Sequence, residues 1–376
     1  MLRPAQTSAD AARGAKKRNT AGLFGAAAQP RWGWIRFFSS FVILGFVSGG
    51  EGGNIHHMNK YSFPSAIVLS AVSILSFHSS AQADTFGSGS NAFTLNFVQV
   101  SQTNNATDPL TGSRYGAVPY EYRAGVNEIS QNDITKATAG GLSNVTAGVY
   151  VGDKPAANIN WYEAAAFVNF LNTNSGKTAA YNLAWSGTAW SMTLQSSSNA
   201  WTLGGTNLYR NKDAYYFLPS ENEWYKAAYY NRTGTNYFLY PMTSTNVHVP
   251  TAVASGTNAN TAVYNQSNVQ GPAAVNLAGG LSTYGTMGQA ANMWEWMETA
   301  ADGTNTTSDE NRNIRGGRFE SGSFQIGSTT ALAFGPSTPD INIGFRVASV
   351  PEPSTYALLL LGAGAMYLWK RRQGSL

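Results

Sequence analysis

Cysteine is absent from all 376 residues, and that absence excludes more than disulfides. Thiol nucleophiles, redox pairs and thiolate metal sites are ruled out with it. Histidine is nearly as scarce, with four copies, and beyond residue 83 only His248 remains. One imidazole is too few for a histidine facial triad. A Ser-His-Asp triad would have to use His248, whose loop offers no G-x-S-x-G elbow. Charge is sparse too, at 12% of residues, and its distribution matters more than its sum. Residues 1–60 and the last seven residues hold 8 + 3 = 11 of the 24 Lys/Arg, which leaves 13 against 17 Asp/Glu between Asp84 and Val350. A mildly acidic body has no clustered cations for a phosphate backbone, so a nucleic-acid partner is excluded. Phosphate-cradling loops are missing as well, because Gly140-Gly141 and Gly279-Gly280 lack a following Lys-Ser/Thr.

What is present begins with two terminal signals. Lys60, the apolar run Ala66 to Leu75 and Ala81-Gln82-Ala83 form the n-region, h-region and A-x-A site of a secretory signal over 58–83, with Asp84 as the first mature residue. The preceding 1–57, with its own apolar run Trp34 to Val47, reads as an upstream extension, and either Met1 or Met58 starts the protein. At the other end, residues 350–376 open with Pro351-Glu352-Pro353, continue into an apolar run over 356–369 and close on Lys370, Arg371 and Arg372. That run has 14 residues, short of the roughly 20 that span a bilayer, and the basic cluster would hold its end on the cytoplasmic side.

The order P-E-P, apolar run, basic cluster resembles the PEP-CTERM sorting tail. That resemblance implies an exosortase and the secretion machinery as partners, and transient inner-membrane association through 356–369. It also implies a final place on the outer surface or in the extracellular matrix of a Gram-negative bacterium. A plain single-span anchor is the alternative.

Between the signals lies one body of 350 − 84 + 1 = 267 residues, enough for a single large domain. Asn160 with Glu163 and Ser220 with Glu223 are spaced as capping boxes, predicting helices over about Trp161 to Asn172 and Glu221 to Tyr230. The rest reads as short strands and long polar loops, including Trp185 to Gly205 and Thr243 to Asn276. Ser, Thr, Asn and aromatic residues dominate those loops, a composition suited to a glycan or matrix polymer.

The blocks PAANINWYEAAAFVNFLN, YYFLPSENEWYKAAYY, ANMWEWME, IRGGRFESGS and NIGFRVA together resemble the formylglycine-generating enzyme (sulfatase-modifying factor) family over 84–349. The resemblance implies an α+β, irregular C-type-lectin-like fold with low regular secondary structure. It also implies oxidation of a substrate cysteine to formylglycine by O₂, with a copper ion held by two enzyme cysteines placed four and nine residues after the R-G-G glycines. Those positions are Ser321 and Ile326, and neither side chain can replace a thiolate. No catalytic residue and no required cofactor are therefore expected, and copper is disfavoured.

The family's calcium site near W-E-W maps to Glu295 with the carbonyls of Ala291 and Met293, but its early ligand position is Gly288; Asn258 and Asn260 match a second calcium loop without an acid. Calcium takes six to eight oxygens, so this site is short of ligands; Glu295 would otherwise pair with a buried Arg such as Arg315 or Arg346. The N-x-G-F-R block offers Asn342 to a ligand, with Arg318, Phe319 and Ser321 lining the floor of the former active site, although Gly344 and Phe345 equally suit a turn and a core. The expectation is an exported binding or structural module. The alternative is an enzyme with another chemistry, an oxidoreductase or a hydrolase using carboxylates such as Glu295 with Glu298 or Glu221 with Glu223.

Overall fold

Three helices carry their own start signals. Helix α1 (Gln131–Ala139) is capped by Ser130 and Asp133, α2 (Trp161–Asn174) by Asn160 and Glu163, and α3 (Glu221–Tyr229) by Ser220 and Glu223. In each, the cap side chain accepts from the third helical N–H and the acid accepts from the cap N–H, so two unpaired donors are satisfied at once. The computed structural model describes residues 81–146, 148–241 and 248–351, with Gly362 and Gly364. The expected extension over 1–57, all but the last three residues of the signal segment, and the 356–369 run apart from those two glycines lie outside the described residues. No helix among the described residues is long and apolar enough to cross a membrane.

The strands are β1 (Gln82–Phe86), β2 (Phe93–Val100) and β3 (Tyr122–Gly125) before α1. Between α2 and α3 come β4 (Asn182–Trp185), β5 (Trp190–Thr193), β6 (Ala200–Trp201), β7 (Asn207–Asn211) and β8 (Tyr216–Phe217). After α3 follow β9 (Thr251–Ala252), β10 (Thr261–Ala262), β11 (Trp294–Ala300), β12 (Arg312–Arg315), β13 (Leu332–Phe334), β14 (Ile343–Gly344) and β15 (Ala348–Ser349). The stretch expected as polar loop from Trp185 to Gly205 thus contains strands. Trp185 pairs with Trp190 across the β4–β5 hairpin, their rings 5.3 Å apart, because aromatic cross-strand pairs stabilise a hairpin that its polar residues do not advertise.

One five-stranded sheet has the order β1-β2-β3-β15-β8, and a four-stranded sheet has the order β13-β12-β11-β14. Helix α2 buries Trp161, Ala164, Ala165, Val168 and Leu171 in a core shared with Trp296 of β11 and Phe345, each large side chain there contributing roughly 1.5–3 kcal/mol. The indoles lock this contact reciprocally: Trp161 Nε1 donates to Met297 O and Trp296 Nε1 to Ile159 O, both at 2.9 Å. Helix α3 packs a second core of Trp224, Tyr225 and Ala228 with Tyr122 and Phe217. Arg123 on β3 joins the two termini of the fold. It donates to both carboxylate oxygens of Asp84 on β1, at 3.0 and 2.6 Å, and to Ser349 Oγ on β15 at 2.8 Å.

Candidate functional site

The R-G-G turn leaves β12 through Gly316 and Gly317, at φ +101° and +86°, a region where side chains with a Cβ are strained. Gly317 is also tight in space. A Cβ there would lie 2.9 Å from Ile326 Cγ2 and 3.3 Å from Ser321 Oγ, so the chain folds positions 321 and 326 back onto the same glycine. Ser321 Oγ accepts from the Arg318 N–H at 2.9 Å. Ile326 is fully buried with Tyr240, Ala262 and Ala290. A hydroxyl and an aliphatic chain meet here, a donor set that does not fit copper(I).

Of the four residues expected to face a ligand, Phe319 and Ser321 are each 2% exposed and turn inward. Phe319 packs on Val263 and Met293, its N–H donating to Asn292 O and its carbonyl accepting from Gln266. Arg318 and Asn342 stay partly exposed. Arg318 pairs with Glu320 at 3.1 Å, whereas the Asn342 N–H donates to Asp340 Oδ1 at 2.7 Å. Next to it, Gly344 is needed because a Cβ would lie 2.8 Å from Ala156 O, and Phe345 is core.

Glu295 sits in the middle of the four-stranded sheet, opposite Arg315 on β12 and Gly344 on β14. It is fully buried, and its oxygens are taken: Oε1 accepts from Arg346 at 2.5 Å, and Oε2 from Arg346 Nε at 2.6 Å and Trp224 Nε1 at 2.8 Å. Arg346, not Arg315, is therefore its partner; Arg315 binds Glu221 at 2.6 Å. Ala291 and Met293 are buried beside it, and at Gly288 a Cβ would lie 3.1 Å from the Glu128 carboxylate. That carboxylate, which no sequence signal announced, accepts from Met293 N–H and Asn292 Nδ2. Burial, and then the Glu295 charge, push its pKa well above the usual carboxylate range. Asn258 and Asn260 lie exposed in the turn between β9 and β10, where Asn258 O accepts from Thr261. Among the described residues, no group of three or more His, Cys, Asp or Glu is placed to hold a metal ion.

The carboxylate pairs considered for acid–base chemistry do not share a cleft. Glu223 and Glu298 converge instead on the buried Arg210 of β7, whose NH2 lies 2.9 Å from Glu223 Oε2 and 2.7 Å from Glu298 Oε2. The guanidinium stacks over Phe217 at 3.7 Å. Burial would raise Glu223, but the Arg210 charge and hydrogen bonds from Arg210, Ser220 and Tyr120 hold it below its ordinary value. Glu298 goes the other way, raised by burial despite Arg210. Arg210 carries no motif, so only the partner carboxylates were visible beforehand.

Residues 87–350 match the sulfatase-modifying factor enzyme 1-like domain, and residues 349–372 match the PEP-CTERM protein-sorting motif. Among solved structures, Treponema denticola variable protein 1 is 18% identical with a TM-score of 0.51, over 72% of this chain and 99% of that one. PvdO from Pseudomonas aeruginosa is 14% identical with a TM-score of 0.46, over 71% and 98%. No curated protein matches.

Proposed function

This chain belongs to the sulfatase-modifying factor enzyme 1-like domain family, a mixed α+β fold of the C-type-lectin-like kind, and carries a PEP-CTERM motif that implies exosortase recognition and export to the cell envelope; from that premise we propose that it is a surface- or matrix-sorted binding or structural module that has lost copper chemistry. The observation that carries this reading is the convergence of Ser321 and Ile326 on Gly317 in a chain without cysteine. Both positions approach one point, yet neither supplies sulfur. The sequestration of Glu221, Glu223, Glu295 and Glu298 by buried arginines weighs against a carboxylate-dependent hydrolase, since an acid tied up in an ion pair has no proton to move at a cleft.

Calcium is not required in this reading, because Arg346 already supplies the cation that Glu295 faces. Exposed loops on a rigid frame remain as the working surface. The test is to incubate the mature protein with copper(I), oxygen and a cysteine-containing peptide. No aldehyde is expected; aldehyde formed by this chain unaided would overturn the proposal. Mass spectrometry of the exported protein is expected to find an N-terminus at Asp84 and loss of the segment beyond Pro353.

A further inference from the structure

One cavity has neither Arg318 nor Asn342 in its lining. Its volume is about 190 Å³, and it is bounded by Tyr120, Trp201, Asn207, Ser220, Asn222 and Thr299, with Arg210 behind them. It forms where β6 and β7 meet the first turn of α3 and the end of β11. The two rings meet edge to face, with centroids 5.5 Å apart. Arg210 is the sole charged residue in the lining, and Glu223 and Glu298 already neutralise it. The walls therefore present no free charge to attract a phosphate, a carboxylate or an amine.

They present neutral hydrogen-bonding groups with capacity to spare. Asn222 Oδ1 accepts from the Gly116 N–H at 2.9 Å, which leaves its NH₂ uncommitted among the described residues. Ser220 Oγ accepts from Glu223 N–H and Thr299 Oγ1 from Glu221 N–H, so each hydroxyl proton is free to donate. Tyr120 donates to Glu223 Oε1 at 2.7 Å and keeps its lone pairs for accepting. Donors and acceptors thus line one small space together with two aromatic rings. That combination suits a ligand with many hydroxyls, C–H faces and no charge.

We propose that this cavity binds one ring of a neutral carbohydrate. The volume is below the ~300 Å³ at which sites begin to enclose a drug-sized ligand, so a terminal or branch residue enters rather than a chain interior. The inference rests on the binding-module reading and gives that module a site and a ligand class.

The test titrates the mature protein with maltotriose, cellotriose and chitotriose, and with a trigalacturonate as charged control, following binding by calorimetry. Three variants accompany it. Thr206→Trp fills the exposed mouth of the cavity. Asn222→Asp removes the amide donors but keeps the oxygen that accepts from Gly116, and places a negative charge in the first turn of α3, where it is tolerated. Arg318→Ala alters the surface at the R-G-G turn. Binding of at least one neutral trisaccharide is expected, weakened about tenfold or more by each of the first two variants and less than about twofold by the third. Failure of all three neutral sugars to bind overturns the inference, as does equal or tighter binding of the uronate, or binding that survives both cavity variants. The cysteine-peptide assay on the same preparation separates the two ideas. Aldehyde formation removes the module reading itself, whereas silence in both assays removes only the carbohydrate site.

Discussion

Replacing Arg210 with Met would remove the guanidinium that faces both Glu223 and Glu298. All three side chains are fully buried, and the arginine makes five hydrogen bonds to the two acids at 2.7–3.1 Å. Breaking a buried pair by deleting one partner costs roughly 3–5 kcal/mol. Met would keep part of the packing on Phe217, and protonation of the orphaned acids limits the charge penalty, so about 4 kcal/mol is expected. At roughly 2–4 °C per kcal/mol for a large domain, the melting temperature should fall by about 10 °C.

The pH dependence is the sharper readout. In the wild type Glu223 lies below its unfolded value and Glu298 above it; their contributions oppose, and the net slope is shallow. In Arg210→Met both acids are buried without a cation, and both folded values rise above the unfolded one. The folded state then binds more protons, so stability increases as pH falls. Thermal melts followed by circular dichroism at pH 5 and pH 8 should show a smaller deficit at pH 5, and Arg210→Met/Glu223→Gln/Glu298→Gln should recover much of the loss. A deficit under about 1 kcal/mol, or one that does not change with pH, would refute this account of the centre.

Gly317→Ala should destabilise by roughly 2–3 kcal/mol in urea unfolding, because the new methyl meets Ile326 Cγ2 in a positive-φ backbone; Ile326→Ala, which removes Cγ2, should cost less in the Gly317→Ala background than in the wild type. Burial lowers Lys226 to about 8. Its unfolded form holds the proton longer, so stability should rise by roughly 2 kcal/mol between pH 8 and 10. Above that, buried tyrosines raised by burial, such as Tyr209 at about 12, reverse the trend; Lys226→Met should flatten the rise. Glu295→Ala should cost roughly 3–5 kcal/mol by stranding Arg346, while Trp224→Phe, which removes the indole donor to Glu295 and leaves a void where the larger buried ring stood, should cost less, roughly 2–3 kcal/mol, by chemical denaturation.

Local signals in the sequence carried through to the structure, and long-range ones did not. The caps at Asn160 and Ser220 placed α2 and α3 to within two residues at their ends, because a capping box is written in four consecutive positions. Helix α1 has the same box at Ser130 and Asp133, but its polar sequence QNDITKATA buries only Gln131, Ile134 and Ala137, and the weak apolar stripe hid it. Glu295 was legible as an ion-pair partner, with Arg315 and Arg346 as equal candidates. Register alone favours Arg315, which lies directly opposite Glu295, but its guanidinium is taken by Glu221 of α3 and leaves Glu295 to Arg346. Arg210, Arg123 and Glu128 were invisible, for their partners lie between 13 and 226 residues away and a lone Arg or Glu has no spacing to read. The expected floor of Arg318, Phe319 and Ser321 failed in part for a related reason: the tight turn at Gly317 rotates alternate side chains into the interior.

The position of β15 bears on how such a protein can be exported. Ala348 and Ser349 are not at the margin of the main sheet but between β3 and β8, and Ser349 shares Arg123 with Asp84 from the opposite end of the domain. A polypeptide threaded outward with its N-terminus leading would arrive with a gap in its largest sheet, and the gap would close only when its final strand cleared the channel. The Pro351-Glu352-Pro353 step follows directly after Val350, whose N–H still donates to Tyr215 O. Maturation beyond Pro353 would then cut a domain already zipped shut and leave every rung of the ladder in place.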